Sequence, residues 1–173
     1  MDSTGARHEL AGERLADPAA RLERARALAW RALDRRERTE LELRGILAGK
    51  RVAPDEADVV VRELLESGFV DDAAFARRFA DDRRRLDAWG AQRIGRRLSA
   101  LGVASEHVAA ALDERDHEGE VEAALALLRR RVPTPPCTER ERDRALGMLL
   151  RKGYELELAR DALRRHAGAE EQF

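Results

Sequence analysis

Hydrophobic positions occur along this chain in short runs between charged residues, and strong helix formers fill both classes of position. Leu, Ala, Arg and Glu dominate, whereas Ile occurs only at 46 and 94 and Tyr only at 154. Summed over successive windows, these propensities favour helix throughout. The pattern predicts an all-α protein with helices at 18–36, 40–48, 54–66, 72–87, 91–101, 106–115, 118–131, 139–151 and 155–166.

Start and stop signals support these helices. Asp17-Pro18 places an N-cap before a proline at the first helical position. Thr39 with Glu42, and Thr138 with Glu141, have the spacing of capping boxes, in which a hydroxyl and a carboxylate bond free backbone N–H groups at a helix start. Glycines are expected where helices end, at positions 49, 68, 102, 153 and 168.

Core-type positions recur at a period of 51 residues. Leu47, Leu98 and Leu149 have this spacing, and Val or Tyr follows each of them five positions later. The recurrence predicts a core helix, a tight turn and a second core helix three times over, unless it is a coincidence among Leu-rich helices. With one preceding helix per copy, it predicts three tandem three-helix repeats that must support one another. The predicted segments are a flexible N-terminal segment at 1–16, repeats at 17–68, 69–115 and 116–167, a Pro-rich linker at 133–137 and a tail at 168–173.

The charge of the chain becomes informative only when charged residues are counted segment by segment. The chain is 39% charged with a formal net charge of −1, which excludes a bulk polycation of the histone-like kind. Residues 70–101 nevertheless carry 8 Arg and 5 acidic residues, and residues 129–152 carry 8 basic and 3 acidic residues. Between them, residues 102–128 carry 1 Arg and 7 acidic residues. Two basic blocks are therefore separated by an acidic one.

Two groups of basic residues are candidates for binding phosphates or acidic protein surfaces. The first is expected to form a ridge on the second repeat, and consists of Arg83, Arg84, Arg85, Arg93, Arg96 and Arg97. The second is expected in the third repeat, and consists of Arg129, Arg130, Arg131, Arg151 and Lys152. The alternatives are that these side chains are merely solvated, and that the run 129–131 complements a helix dipole.

Comparison between the repeats singles out Arg96 and Arg97. At the 51-residue period, the position of Arg96 is glycine in both other repeats, and the position of Arg97 is Ile46 or Met148. Equivalent positions that serve only the fold are expected to stay similar. The divergence therefore points to a local role for these two arginines.

Aromatic residues are assigned packing roles. Phe69, Phe75 and Phe79 are expected in the core rather than as platforms for nucleic-acid bases. Trp89 is expected to plug a helix–helix turn, and the alternative is that it contacts a partner. Tyr154 is expected to be half-buried with its hydroxyl near solvent.

No constellation of catalytic or metal-ligating residues stands out in the sequence. The four histidines are scattered and each is expected at the surface, and Cys137 is the single cysteine. No apolar run approaches the ~20 residues that span a bilayer. We therefore expect a cytoplasmic protein that is not an enzyme and that needs no metal, cofactor or membrane.

An ordered set of short motifs spans the second and third repeats. The stretches are 69–76 (FVDDAAFA), 83–85 (RRR), 89–94 (WGAQRI), 98–103 (LSALGV) and 149–154 (LLRKGY). In order and spacing they resemble the RecX family, the regulatory proteins of the RecA recombinase. The sequence departs from the family pattern at 48–52 (AGKRV), and Leu101 stands where a basic residue is usual.

The resemblance covers roughly 25–166 and implies a non-enzymatic modulator of RecA. RecX-like proteins are elongated, curved arrays of three-helix repeats that bind in the helical groove of the RecA filament on single-stranded DNA. They inhibit ATP hydrolysis, strand exchange and filament extension, and so modulate DNA repair, recombination and the SOS response. The basic residues named above would then contact the RecA filament or its DNA, and the protein would act as a monomer. The alternative is a general helical nucleic-acid-binding protein that acts without RecA.

Overall fold

The computed structural model describes residues 17–168, and this part of the chain is all-α, with nine helices and no strand. Numbered in chain order, the helices are α1 Pro18–Leu33, α2 Glu40–Gly49, α3 Pro54–Glu66, α4 Asp72–Asp87, α5 Ala91–Ala100, α6 Ser105–Asp113, α7 His117–Arg131, α8 Glu139–Lys152 and α9 Leu156–Gly168. Every helix predicted from the sequence is confirmed, with small differences at the ends. The predicted N-terminal segment 1–16 and residues 169–173 of the predicted tail lie outside the described residues.

Three helix starts are built as the sequence predicts. Asp17 accepts a hydrogen bond from the backbone N–H two residues later, at 3.1 Å. The Thr39 hydroxyl accepts from the Glu42 N–H at 3.2 Å, and the Glu42 carboxylate accepts from the Thr39 N–H at 3.4 Å. Thr138 and Glu141 make the same reciprocal pair at 3.2 and 3.1 Å. These bonds satisfy backbone donors that have no partner within their own helix.

The ends of α2, α5 and α8 share one geometry at the 51-residue period. The turn residue has a positive φ in each, 59° at Arg51, 85° at Gly102 and 94° at Gly153. The next residue donates its N–H to the leucine carbonyl five positions earlier, at 3.1, 3.2 and 3.2 Å. This is the Schellman arrangement, which favours glycine because a left-handed backbone without a Cβ is not strained. Gly49, predicted to end α2, is instead its last residue, and the left-handed position falls on Arg51.

The same period marks buried positions. Leu47, Leu98 and Leu149 are each 0% exposed, and so are Leu43 and Ile94, which lie four positions before the first two. The 51-residue spacing is thus confirmed as a period of core side chains and of helix ends. The exact repeat boundaries drawn from it stay a prediction.

The described chain divides into two compact units within α4, between Phe75 and Ala76. In the first unit α1, α2 and α3 pack against one another, and Ala29, Leu43 and Val61 are fully buried between them. The β-branched run 59–61 is helical, as predicted, because two of its three valines supply this core.

The second unit contains the rest of α4 and helices α5 to α9. A core cluster joins α7, α8 and α9 through Val121, Leu128, Leu149 and Ala162. The Pro-rich stretch at 133–137 lies between α7 and α8.

The prediction that Phe69 is a core residue is wrong, since it is 60% exposed. Gly68 has a φ of 73°, and the turn directs the next apolar residue, Val70, into the core at 2% exposure. Phe69 instead packs edge-on against Trp30, with ring centroids 4.6 Å apart. Phe75, by contrast, is buried as predicted.

Two further burial predictions are wrong in the opposite direction. Tyr154, expected to be half-buried, is 1% exposed because it follows the Gly153 turn into the core of the second unit. His166, expected at the surface, is 3% exposed, and its Nε2 lies 2.8 Å from the carbonyl oxygen of Val132. That contact satisfies the buried imidazole and ties α9 to the end of α7.

Candidate nucleic-acid interface

Trp89 lies at the corner between α4 and α5 with two guanidinium groups near its ring. Arg93 Cζ lies 4.2 Å from the ring centroid and Arg83 Cζ lies 5.7 Å from it. Arg83 also lies 5.5 Å from the Phe79 centroid and bonds the Asp87 carboxylate at 2.6 Å. Cation–π contacts and the ion pair therefore order two of the predicted binding arginines.

The start of α5 is joined to the end of α8 through backbone groups. The Gly90 N–H donates to the Lys152 carbonyl at 2.9 Å, and the Gln92 N–H donates to the Gly153 carbonyl at 3.1 Å. Each helix end thus satisfies backbone groups that the other leaves free. A Cβ on Gly90 would lie 2.5 Å from the Gly153 oxygen, so this approach requires glycine.

Two of the predicted binding residues serve this same junction. Lys152 Nζ donates to the Asp87 carbonyl at 2.7 Å, at the end of α4. Arg93 Nη1 donates to the Arg151 carbonyl at 3.1 Å, in the last turn of α8. Cations at the carbonyl ends of helices are favourable, so these contacts stabilise the junction.

Arg84 does not lie on an exposed ridge, contrary to the sequence-based prediction. It is 8% exposed, and its Nη1 and Nη2 donate to the carbonyls of Ala111 and Leu112 at 3.2 and 2.9 Å, at the end of α6. Burial, followed by the positive charge of Arg115, lowers the pKa of Arg84. Successive helical residues are turned by roughly 100°, so the three consecutive arginines cannot share one surface.

Arg85, Arg96 and Arg97 are the exposed members of the first group. Arg85 pairs with Asp82 at 3.2 Å. Arg96 and Arg97 make no side-chain hydrogen bond or ion pair within residues 17–168. Leu98 is completely buried on the face of α5 that packs into the core. The arginine pair lies on the exposed surface of the same helix.

A cleft of about 630 Å³ lies between the Pro-rich linker and α8. Arg131 and Arg151 of the second predicted group line it together, and so does Arg144, which was not predicted. Arg144, Met148 and Arg151 follow one another at i, i+4 and i+7 on α8. This helical spacing is the sequence signal that could have grouped Arg144 with Arg151.

The remaining members of the second group do not join that cleft. Arg129 and Arg130 are exposed in the last turn of α7, where positive charge also complements the helix dipole. Arg130 lines a different cleft, and the Lys152 ammonium bonds the Asp87 carbonyl at the end of α4.

A buried carboxylate that sequence reasoning missed completes the start of α5. Glu120 is 6% exposed, and its Oε1 accepts from the Ala91 N–H at 2.7 Å. In the first unit the Asp72 carboxylate accepts from the Glu40 N–H in the same way, at 3.0 Å. Glu40 and Ala91 are equivalent at the 51-residue period. Each middle helix is thus capped by a carboxylate from the helix two elements further along the chain.

Residues 17–168 form neither a metal site nor a membrane span. No group of His, Cys, Asp or Glu side chains there could hold a metal ion. None of their helices is both long and apolar enough to cross a membrane.

Comparison with known proteins identifies the family. The model of the RecX second three-helix domain matches residues 71–112, and that of the RecX third three-helix domain matches residues 118–163. A "Regulatory protein RecX" of Thermobifida fusca is 33% identical over 150 residues, which are 85% of this chain and 80% of the relative. One of Mycobacterium avium is 34% identical over 156 residues, 88% of this chain and 90% of the relative. The chain belongs to the RecX family.

Solved RecX structures share its fold. The crystal structure of RecX from Lactobacillus salivarius has a TM-score of 0.78 at 18% identity, covering 86% of this chain and 98% of that one. A second RecX crystal structure has a TM-score of 0.70 at 21% identity, covering 83% and 73%. The tandem three-helix architecture is therefore the RecX fold.

The RecX domain matches contain all the predicted binding residues. Those from Arg83 to Arg97 fall in the second RecX three-helix domain, and those from Arg129 to Lys152 in the third. Their roles in binding stay a prediction.

Proposed function

We propose that this RecX-family protein binds the RecA filament on single-stranded DNA, in the helical groove of the filament. By occupying the groove it inhibits RecA-dependent ATP hydrolysis, strand exchange and filament extension, and thereby modulates DNA repair and recombination. Its action is binding without catalysis. Membership of a family of regulatory proteins supports this function, and the exposed arginine pair of α5 is the observation that carries it.

Arg96 and Arg97 suit such a partner because the fold does not use them. Both are exposed, neither has a polar partner among the described residues, and the equivalent positions of the other repeats are uncharged. Guanidinium groups bind phosphates and carboxylates through paired hydrogen bonds. A filament of protein on DNA presents both kinds of anion.

The linker cleft supplies a second set of cations. Arg131, Arg144 and Arg151 line it and form no ion pair within residues 17–168. The α5–α8 junction fixes the backbone at Arg151 relative to the start of α5. A fixed arrangement of cations loses little conformational entropy on binding.

RecA-dependent ATP hydrolysis on single-stranded DNA tests the inhibitory function. Adding this protein at substoichiometric amounts in low salt is expected to lower the hydrolysis rate. Inhibition is expected to weaken as salt rises, because anion contacts are screened and counterions compete. An unchanged hydrolysis rate at low salt would overturn the proposed inhibition.

The basic blocks also fit a second candidate, a general nucleic-acid-binding protein that acts without RecA. The two candidates differ in their preferred target. Binding that is much tighter to RecA-coated DNA than to naked single-stranded DNA favours the filament function. Equally tight binding to both favours the general one.

A further inference from the structure

A smaller cleft in the second unit brings together three arginines from separate parts of the chain. Its volume is about 310 Å³, and it lies between α4, α7 and the turn that follows α8. Arg84, Arg115 and Arg130 line it, with Tyr154 and small or apolar residues of α7 on the remaining wall. Among these described lining residues none is acidic.

The buried member of the three has an unused donor. Arg84 directs its two terminal nitrogens to carbonyls at the end of α6, but its buried Nε has no hydrogen-bond partner. Buried polar groups are nearly always bonded, because a buried donor without an acceptor is destabilising. Arg84 is 8% exposed and lines the cleft, and its unmet Nε donor is buried within the protein.

The positive charge of the cleft is also uncompensated at short range. Neither Arg115 nor Arg130 forms an ion pair within residues 17–168. The acidic residues that act on Arg84 electrostatically are Glu120, Glu114 and Asp81. Glu120 is bonded to the start of α5, and no carboxylate lies within ion-pair distance of Arg84.

Gathering guanidinium groups in a partly desolvated cleft is unfavourable unless an anion joins them. A tetrahedral oxyanion offers several acceptors at once and matches the forked donors of arginine. At the lower end of the size range of ligand pockets, about 300–1,000 Å³, the cleft suits a phosphate group better than a whole organic cofactor.

We propose that the cleft lined by Arg84, Arg115 and Arg130 is a phosphate-binding site. Arg84, held by the end of α6, forms its rigid base, and Arg115 and Arg130 close on the anion from the loop before α7 and from its last turn. The phosphate belongs either to a nucleic-acid backbone or to a free phosphate compound. The site does not depend on RecA, so it stands or falls separately from the proposed regulatory function.

Titrations of the full chain in the absence of RecA test the site. The probes are inorganic pyrophosphate, followed by calorimetry, and a fluorescein-labelled oligothymidylate, followed by anisotropy, both at constant ionic strength. The variants are Arg115→Gln and Arg130→Gln, because replacing the buried Arg84 would disturb the fold. The matched control is Arg164→Gln, which removes an exposed charge of α9 that pairs only with Asp161. Circular dichroism confirms that each variant is folded.

Loss of one charge-assisted contact is expected to weaken binding about tenfold in both cleft variants and not in the control. Weaker binding of both probes supports a site open to either source of phosphate. Weakening of the oligonucleotide alone assigns the site to the DNA backbone, and weakening of pyrophosphate alone assigns it to free phosphate compounds. Equal affinities in wild type, cleft variants and control, or no binding of either probe, would overturn the proposal.

Discussion

Gly153 lies directly against the backbone of Arg93. A Cβ at position 153 would be 2.3 Å from Arg93 Cβ and 2.6 Å from Arg93 N, and the φ of Gly153 is 94°. Glycine is therefore required there twice, by the left-handed turn that ends α8 and by the start of α5 that packs on it. No side chain can be added without moving one helix end from the other.

Gly153→Ala is expected to destabilise the protein severely. The left-handed backbone alone costs an alanine about 1–2 kcal/mol, and the contact with Arg93 adds to that. Guanidinium unfolding followed by circular dichroism measures the change.

Two other glycines separate the causes. Gly68 has a φ of 73° and open space where an added Cβ would lie. Gly68→Ala should therefore show the cost of the left-handed backbone alone. Gly45→Ala, inside α2 and also in open space, should stabilise by about 0.5–1 kcal/mol. Equal effects of the substitutions at 153 and 68 would contradict the importance of the α5–α8 contact.

Glu120→Ala is expected to lower the free energy of unfolding by about 1–2 kcal/mol, because it leaves the Ala91 N–H at the start of α5 without its buried acceptor. Glu122→Ala, on the exposed side of the same helix, should change stability by less than about 0.5 kcal/mol. Denaturant unfolding of both variants compares them. Similar losses at the two positions would show that the buried cap is not what stabilises this helix start.

Arg96→Ala with Arg97→Ala is expected to weaken filament inhibition while leaving the fold intact. Both side chains are exposed and unpaired, so their removal takes away only partner contacts and charge. Dose–response curves for RecA ATPase inhibition, with circular dichroism as the fold check, measure the effect.

The matched control is Arg160→Ala with Arg164→Ala, which removes the same charge from exposed positions of α9. Inhibition should shift to higher protein concentration in the α5 variant and change little in the control. Equal shifts would reduce the role of Arg96 and Arg97 to one of net charge.

Tyr154 is expected to ionise near pH 12. Burial, followed by the negative charge of Glu120, raises the pKa of Tyr154 from 10.0 to about 12. Since the folded state holds the phenol proton more tightly, the stability that Tyr154 provides is complete below pH 10.0 and is lost as the pH rises through about 12. The chain has a single tyrosine, so absorbance of tyrosinate reports this group alone. A titration midpoint in the folded protein equal to that in denaturant would show that the hydroxyl is solvated.

Phe69→Ala and Phe75→Ala are expected to differ strongly. Phe75 is 8% exposed and its truncation should cost about 3–5 kcal/mol, whereas Phe69 is 60% exposed and should cost less than about 1 kcal/mol. Thermal unfolding of the two variants distinguishes them. Comparable losses would mean that the Trp30–Phe69 contact contributes as much as a core residue.

Local structure was largely predictable because its signals are local. The two capping boxes and the Asp17 N-cap each depend on residues within a few positions of one another. Hydrogen bonds at helix starts and the 3.6-residue period act over the same short range.

The candidate site was predictable in part. The sequence marked Arg96 and Arg97 as unlike their repeat equivalents, and both are exposed and unpaired. It grouped Arg84 with its neighbours on a ridge, and it did not mark Arg115 or Arg144. Whether an arginine faces solvent, a carbonyl or another arginine depends on the helix packed against it, which local spacing does not reveal.

The sequence by itself determined the helices, their caps, the 51-residue period and, through ordered motifs, the resemblance to RecX. Tertiary structure alone decided which charges are used within the fold. Arg84, Arg93, Lys152 and Glu120 bond helix ends that are 27 to 65 residues distant along the chain. Free backbone groups at helix ends must find partners, and only the packing of distant helices determines which side chains reach them.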